Sequence, residues 1–555
     1  MTPNETTRLL QDDAPSYEPT TDARAQENAP TGEPAEVEAQ DDAPTSKPLR
    51  DTLAFILLAL PIGGLQVAWS VQFSAGSSYL LSLGMSKPLL AAVWFAGPLA
   101  GIVVQPCVGA LSDGCRLPYG RRRPYLLGGT AVTVFSMMVL LAWGPEFVGL
   151  SGGESATAVK AVTVAGVYTL NAGLNIVEAS AHAFITDCAP GGQQEAANGM
   201  ASRSIALGNL LGFLAGSLDL ALYLPFLGGS HFKVLCAVSS VTLVVTVLVG
   251  AWFVTEVKPT GSEDQTSVWE RLWDTIRDLS PQIRTLFVVQ IFACFAFFPI
   301  LFYASVYVAE IYVGPCLREN PNMTPEELDV LYVEGTRKGS TALLLNAVVM
   351  LVSTVVVPVL VTPTFDQAGG GGTSEARRSA SGRWLVSLQI PWLTLKVAWV
   401  ASLALQAAAM LAAPFVQSVG VATALIAVLG YPWALSAWAP FAIIGAETSR
   451  PDGANDDGDA APSHSGEDAS NGTAEVISTT GDGVGTVFGI HNMVMCIAQA
   501  FSTIVSLGIF KHWQKPRGEP GDPSFALLFW VSGLATVAAA YFALRIEGRP
   551  GGQRV

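Results

Sequence analysis

Long apolar runs separated by short polar connections repeat from about Leu53 to Leu544. Twelve of them, at 52–74, 88–111, 125–144, 160–186, 199–223, 232–254, 284–313, 339–361, 391–414, 418–446, 484–510 and 524–545, are long enough to cross about 30 Å of hydrocarbon as helices. The connection after the sixth run, 255–283, is longer than its neighbours and carries an amphipathic stretch around 269–279. It divides the chain into six helices and six. The expected fold class is an all-α membrane protein whose twelve transmembrane helices form two six-helix bundles, at 51–254 and 284–545.

Composition sharpens this picture. Half of the 555 residues are hydrophobic and only 14% are charged, which is too apolar for a soluble chain of this length. The net charge of −15 is confined to two places. Residues 1–50 contribute −7 and the segment 447–482 contributes −8, so the helical body is neutral. Both segments are rich in Pro, Ser, Gly and Ala and cannot bury enough apolar surface to fold, so they are expected to be disordered, as are the loop 362–390 and the tail 546–555. Nucleic acid is therefore excluded as a partner. The polar, acidic first fifty residues do not read as a cleavable signal peptide. Five of the seven cysteines lie inside apolar runs, with Cys316 expected to face outward, so no disulfide framework is expected. No metal or other cofactor is implied. There is no phosphate-binding loop, zinc-protease motif or nucleophile elbow, and an enzyme is not expected.

The second and third runs are joined by a stiff basic hairpin, Gln105-Pro106 through Ser112-Asp113-Gly114-Cys115 to Gly120-Arg121-Arg122-Arg123-Pro124. The distribution of Lys and Arg places this hairpin and both chain ends on the cytoplasmic side. Asp113, Arg121, Arg122 and Arg123 are expected to form a cytoplasmic latch.

Polar side chains at membrane depth are costly and mark candidate function. On the fourth helix Asn171, Asn175, Glu178 and His182 are spaced 4, 3 and 4 apart, so they share one stripe. Glu178 and His182 stand one turn apart and are expected to hydrogen-bond, a plausible pair for proton exchange or for helix packing. On the first helix Gln66, Trp69 and Phe73 share a face, an aromatic plate beside an amide that suits a sugar ring. Asn346, Gln290, His491, Asn492 and Gln499 are further candidates for the cavity. Glu334 and Arg337, at the outer start of the eighth helix, have the spacing of a local ion pair and are expected to gate that side. Asn322-Met323-Thr324 is a glycosylation sequon weakened by Pro325.

The six-plus-six plan with a central cytoplasmic loop resembles the major facilitator superfamily. Several blocks resemble its sucrose–proton symporters, in the glycoside-pentoside-hexuronide branch. They are Gly64-Leu65-Gln66-Val67-Ala68-Trp69-Ser70, the Gln105–Pro124 hairpin, Gly208-Asn209 with Gly212 and Gly216, Phe298-Pro299, Glu334-Gly335-Thr336-Arg337 with Leu345-Asn346, and Tyr431-Pro432-Trp433. The seventh helix, from Tyr303 to Tyr312, resembles the fungal members, the general α-glucoside permeases. The resemblance implies a carrier that imports sucrose- or maltose-type sugars with protons by alternating access. Gln66, Trp69, Asn171, Asn175 and Asn346 would hold the sugar. In plant members the fourth helix carries Asp, Gln and Arg where Asn171, Glu178 and His182 stand here. The acid has moved two turns, and Glu178, modulated by His182, becomes the proton carrier. Lys87 stands where the plants have an outer-loop histidine.

Three other readings remain open on the sequence: an uncoupled facilitator, a vacuolar exporter, and a transport-dead sensor signalling through its acidic segments. Glu5-Thr6-Thr7-Arg8-Leu9-Leu10 fits an acidic dileucine sorting signal, although the plasma membrane is favoured.

Overall fold

The computed structural model describes residues 47–113, 117–150, 156–189, 194–254, 279–362, 389–448 and 482–546, with Cys115, Glu256 and a few residues between 273 and 277. The acidic tail, most of the 269–279 stretch and the acidic segment after the tenth helix lie outside the described residues.

Among the described residues twelve long helical rods follow one another. α1 runs Lys47–Val71, passes through a π-helical segment at Gln72–Gly76 and ends at Ser77–Ser82. α2 is made of Lys87–Trp94 and Ala96–Asp113, and α3 of Arg123–Phe135 with a π-helical extension at Ser136–Ala142. α4 is Ala156–Cys188, α5 Gln194–Ser217 and α6 His231–Phe253. The second half holds α7 (Pro281–Glu319), α8 (Pro325–Leu360), α9 (Leu395–Ala412), α10 (Val419–Val428 and Gly430–Thr448), α11 (Asp482–Trp513) and α12 (Ser524–Ala543). Among the described residues ten of these are long and apolar enough to cross a membrane; α4 and α5 are not among the ten.

Capping chemistry sets the helix starts. Ser230, Ser280, Thr394 and Ser418 each accept a backbone N–H from the first turn of α6, α7, α9 and α10. Thr324 and Glu327 form a reciprocal capping box, with Pro325 in the first turn. This box corrects the expected start of α8, which lies fourteen residues ahead of the apolar run at 339. Hydropathy reports only the membrane-facing part, whereas the cap starts the helix further out. Glu334 and Arg337 therefore sit more than two turns inside α8, not at its entrance. α10 is also broken rather than continuous, at Leu429. At Gly430 a Cβ would stand 2.2 Å from the Asn346 carbonyl oxygen, so the lack of a side chain lets α10 press on α8.

α5 packs on α1 through small residues. A Cβ on Gly208 would lie 2.3 Å from the Gly63 carbonyl oxygen, and one on Gly212 would lie 2.4 Å from Ser70 Cβ. Gly216 continues the row against Ser74 and reaches Ser340 of α8. Close backbone approach of this kind is a main source of helix–helix contact in lipid, where apolar burial alone gives little. The largest buried apolar cluster includes residues of both halves, from Phe55 to Phe529. A second fills the α7–α12 bundle near the end marked by Leu279, Val361 and Ile546. At that same end Val361–Thr362 pairs in parallel with Ile390–Thr394, a short ladder that the hydropathy pattern did not reveal.

Below, the end of the molecule carrying Arg121–Arg123 is the hairpin end, and the opposite one is the far end.

Candidate functional site

Of the fourth-helix stripe, Asn171 and Asn175 face the interior. Asn171 is 0% and Asn175 3% exposed, Glu178 is half-buried and His182 is exposed, so exposure grows toward the hairpin end. Asn171 Nδ2 donates to Gln72 Oε1 of α1 at 3.1 Å and to the Val167 carbonyl at 2.9 Å. Its Oδ1 and Gln72 Nε2 are buried with no hydrogen-bond partner among the described residues. Gly97 of α2 lies over that oxygen, 3.3 Å from where its Cβ would be.

Glu178 does not bond to His182 as expected; among the described residues its partner is Gln105 of α2, whose Nε2 lies 3.5 Å from Oε2. The same nitrogen donates to Asn175 Oδ1 at 2.8 Å. Asn492 Nδ2 of α11 donates to Gln105 Oε1. Gln105 therefore ties the α4 stripe to the other half of the molecule. In the sequence Gln105 stands out only as part of the hairpin signature. Its signal was available: an amide inside an apolar run, at the depth of Glu178. Beside Asn492, His491 is fully buried and its Nε2 lies 3.0 Å from Gln290 Nε2 of α7. Gly101 of α2 lies against Cys496 of α11, whose Sγ would stand 2.4 Å from an added Cβ.

On α1, Trp69 and Phe73 stack with centroids 5.7 Å apart and planes 14° from parallel. Phe73 in turn meets Phe302 of α7 edge-on at 5.1 Å. Gln66 and Trp69 are half-buried beside them. In the other half Trp433 packs edge-on against Phe297 at 4.8 Å. Asn346 Nδ2 donates to the Ile426 carbonyl at 2.7 Å, ahead of the α10 break.

The far end joins the halves tightly. Lys87 is 6% exposed, 2.7 Å from Asp522 Oδ2, 3.1 Å from Glu310 Oε1, and over the Phe525 ring at 4.2 Å. Ser77 Oγ donates to the Phe302 carbonyl at 2.5 Å, Ser305 Oγ to the Phe73 carbonyl at 3.3 Å, and Thr336 Oγ1 to Ser78 Oγ at 2.8 Å. The expected Glu334–Arg337 pair is not formed. Arg337 instead reaches Asp219, beyond α5 in the first half, at 2.7 Å, while Glu334 pairs with Lys338 at 3.6 Å. On the helix Lys338 lies about 40° to one side of Glu334 and Arg337 about 60° to the other, and Arg337 is taken by Asp219.

At the hairpin end the arginines hold elements of their own half together. Arg121 grips Asp187 through Nε and Nη2 at 2.8 and 2.6 Å, and Arg122 Nε reaches the same carboxylate at 2.8 Å. The backbone N–H groups of Arg121, Arg122 and Arg123 all donate to the Glu256 carboxylate, at 2.5–3.0 Å. Gly120 has φ +109°, and a Cβ there would stand 2.6 Å from that carboxylate, so only glycine leaves room for this nest. Asp187 and Glu256 were not singled out in the sequence. The side chain of Asp113 lies outside the described residues. No disulfide joins the described cysteines, and the exposed one is Cys107 rather than Cys316.

This architecture is that of a multi-pass membrane transporter with the major facilitator fold. Solved structures agree on the fold. The nucleoside transporter NupG matches with a TM-score of 0.56 at 9% identity, over 89% of this chain and 99% of that one. A bacterial homologue of the human lysosomal transporter Spinster matches at 0.52 and 13%, over 90% and 97%. Residues 54–319 match the family described as MFS/sugar transport protein. It is 29% identical to the general alpha-glucoside permease of Schizosaccharomyces pombe, over 91% of this chain and 96% of the permease. It is 26% identical to the sucrose transport protein SUT3 of Oryza sativa subsp. japonica, over 90% and 95% respectively.

Proposed function

We propose that this protein imports sucrose- or maltose-type α-glucosides together with protons, by alternating access across the plasma membrane. The names of its relatives, an alpha-glucoside permease and sucrose transport proteins, support the sugar class. The observation that carries the coupling is Glu178. Among the described residues it is the one acid of α1–α6 more than two turns from a helix end, and it is hydrogen-bonded to an amide that reaches the other half. Trp69 with Phe73 offers a flat apolar face, and Gln66, Asn175 and the Gln105–Asn492 pair offer hydrogen bonds around it. Asn171 and Asn346 shape the wall, since each is held by a neighbouring helix. His182, exposed one turn beyond Glu178, lies on the route by which the proton leaves. The twelve rods cross the bilayer in two bundles that rock about this site. At a resting potential of ~100 mV each inward charge contributes about 2.3 kcal/mol, or roughly fiftyfold accumulation.

The test is uptake of labelled sucrose and maltose in yeast lacking its own carriers, at pH 5 and pH 7, with and without a protonophore. Wild type is expected to concentrate sugar and lose this with protonophore, and Glu178→Gln to equilibrate at best. The plant acid is replaced here by the buried amide of Asn171, which favours one alternative, an uncoupled facilitator. Uptake indifferent to protonophore would establish it.

A further inference from the structure

Gln105 has both of its amide ends engaged, each on a different half of the molecule. Its nitrogen carries two hydrogens and faces two acceptors on α4, Asn175 Oδ1 at 2.8 Å and Glu178 Oε2 at 3.5 Å. Asn175 Nδ2 donates to the Asn171 carbonyl, so Asn175 Oδ1 can only accept and the nitrogen of Gln105 must point at α4. The oxygen of Gln105 is thereby turned to α11, where it accepts from Asn492. Gln105 lies eight residues from the hairpin end of α2 and Asn492 ten from that of α11, roughly 12–15 Å up each helix. The bond thus joins the two halves on the hairpin side of Gly101 and Cys496. The charged far-end seal lies beyond the opposite turn of α2, at Lys87.

We propose that Gln105 is a positioning residue that transmits the charge of Glu178 to α11. This rests on the reading of Glu178 as proton carrier. With Glu178 ionised, its carboxylate accepts from Gln105 Nε2, the amide is oriented, and its oxygen holds Asn492, closing the hairpin side. Protonation on Oε2 removes its charge and makes it a hydroxyl that donates, a far poorer acceptor for the Gln105 N–H. Gln105 then loses one of the two bonds orienting it, its hold on Asn492 weakens, and the hairpin side opens. The loaded carrier releases its cargo there. Deprotonation restores the bridge and closes the emptied carrier on that side. The described titratable groups around Glu178 are His182 on α4 and the Cys496 thiol on α11; α2 presents the neutral Gln105. A hydrogen bond to a charged group commonly changes an equilibrium by about tenfold, and the 3.5 Å separation places this one toward a few-fold effect.

The measurement is the distance distribution between spin labels at Tyr119→Cys and Trp392→Cys, both exposed in the wild type, in a full-length background without the seven native cysteines. In otherwise unaltered protein the long-distance population should rise several-fold from pH 8 to pH 5. In Gln105→Leu, and independently in Asn492→Leu, it should be high at both pH values with no pH response. Either variant suffices if the other fails to fold. Retention of the pH response in either variant, together with its loss in Glu178→Gln, would overturn the relay and leave Glu178 as the carrier. A pH response surviving in Glu178→Gln would overturn the reading of Glu178 and the relay with it.

Discussion

Lys87 and Asp522 are 435 residues apart in the chain and 2.7 Å apart in space. The lysine enters the second half of the molecule as a buried cation, between two carboxylates and over an aromatic ring. A buried charge of this kind is weak evidence for stability while paired, but costly once its partner is removed. Lys87→Met should therefore leave Glu310 and Asp522 facing one another without the cation between them. A loss of about 3 kcal/mol or more is expected, read as a lowered unfolding temperature in detergent. Neutralising both acids as well, Glu310→Gln with Asp522→Asn, should recover most of it.

The same pair has a defined pH window. Burial pushes the Asp522 carboxyl up, but the Lys87 charge and hydrogen bonds from Lys87, Ser524 and Lys515 outweigh this and hold it below its ordinary value of 3.8. A carboxyl depressed in the folded state stabilises above its unfolded value and loses that contribution as pH falls through the folded one. The far-end seal should thus stay intact between pH 5 and 8 and weaken only below about pH 4. Reactivity of a cysteine placed at Ser78, corrected for thiol ionisation, should be flat across the upper window. A marked rise on going from pH 8 to pH 5 would contradict this assignment.

Arg337 and Asp219 are partly exposed, with side-chain exposures of 29% and 45%, so this bridge should contribute little to stability, ~1 kcal/mol or less. Its effect is expected in transport rate. Asp219→Arg and Arg337→Asp should each slow uptake by juxtaposing like charges. The double exchange should restore a large part of the rate, measured as initial uptake normalised to surface protein.

Gly120→Ala should disrupt the hairpin without touching the sugar site. It demands a left-handed backbone of a residue with a Cβ and drives that Cβ onto the Glu256 carboxylate. A cost of about 1–3 kcal/mol follows from the backbone alone. Reduced surface expression, with near-normal affinity in the protein that reaches the membrane, is the expected phenotype.

The rods were legible because apolar runs report directly on what crosses hydrocarbon, and the α4 stripe because helical periodicity is a one-dimensional property. What escaped was of two kinds. Helix ends at Thr324 and Leu429 depend on capping and on close packing, which hydropathy does not register. Partners such as Asp522 for Lys87, Asp219 for Arg337, Asp187 for Arg121 and Gln105 for Glu178 lie far along the chain, or on another helix, and no local spacing specifies them. Glu334 with Arg337 shows the hazard: the spacing allowed a local pair, but the rotation of the helix gave the arginine to the opposite half.

The row Gly208, Gly212 and Gly216 on α5 gives the molecule a smooth rail. Knobs set into holes hold a register, and shifting them requires every side chain to change rotamer. A face of backbone and serine against α1 and Ser340 has no teeth to disengage, so α5 can glide along its neighbours without rearranging its own surface. By the same token, one methyl group added at Gly208 would act as a brake.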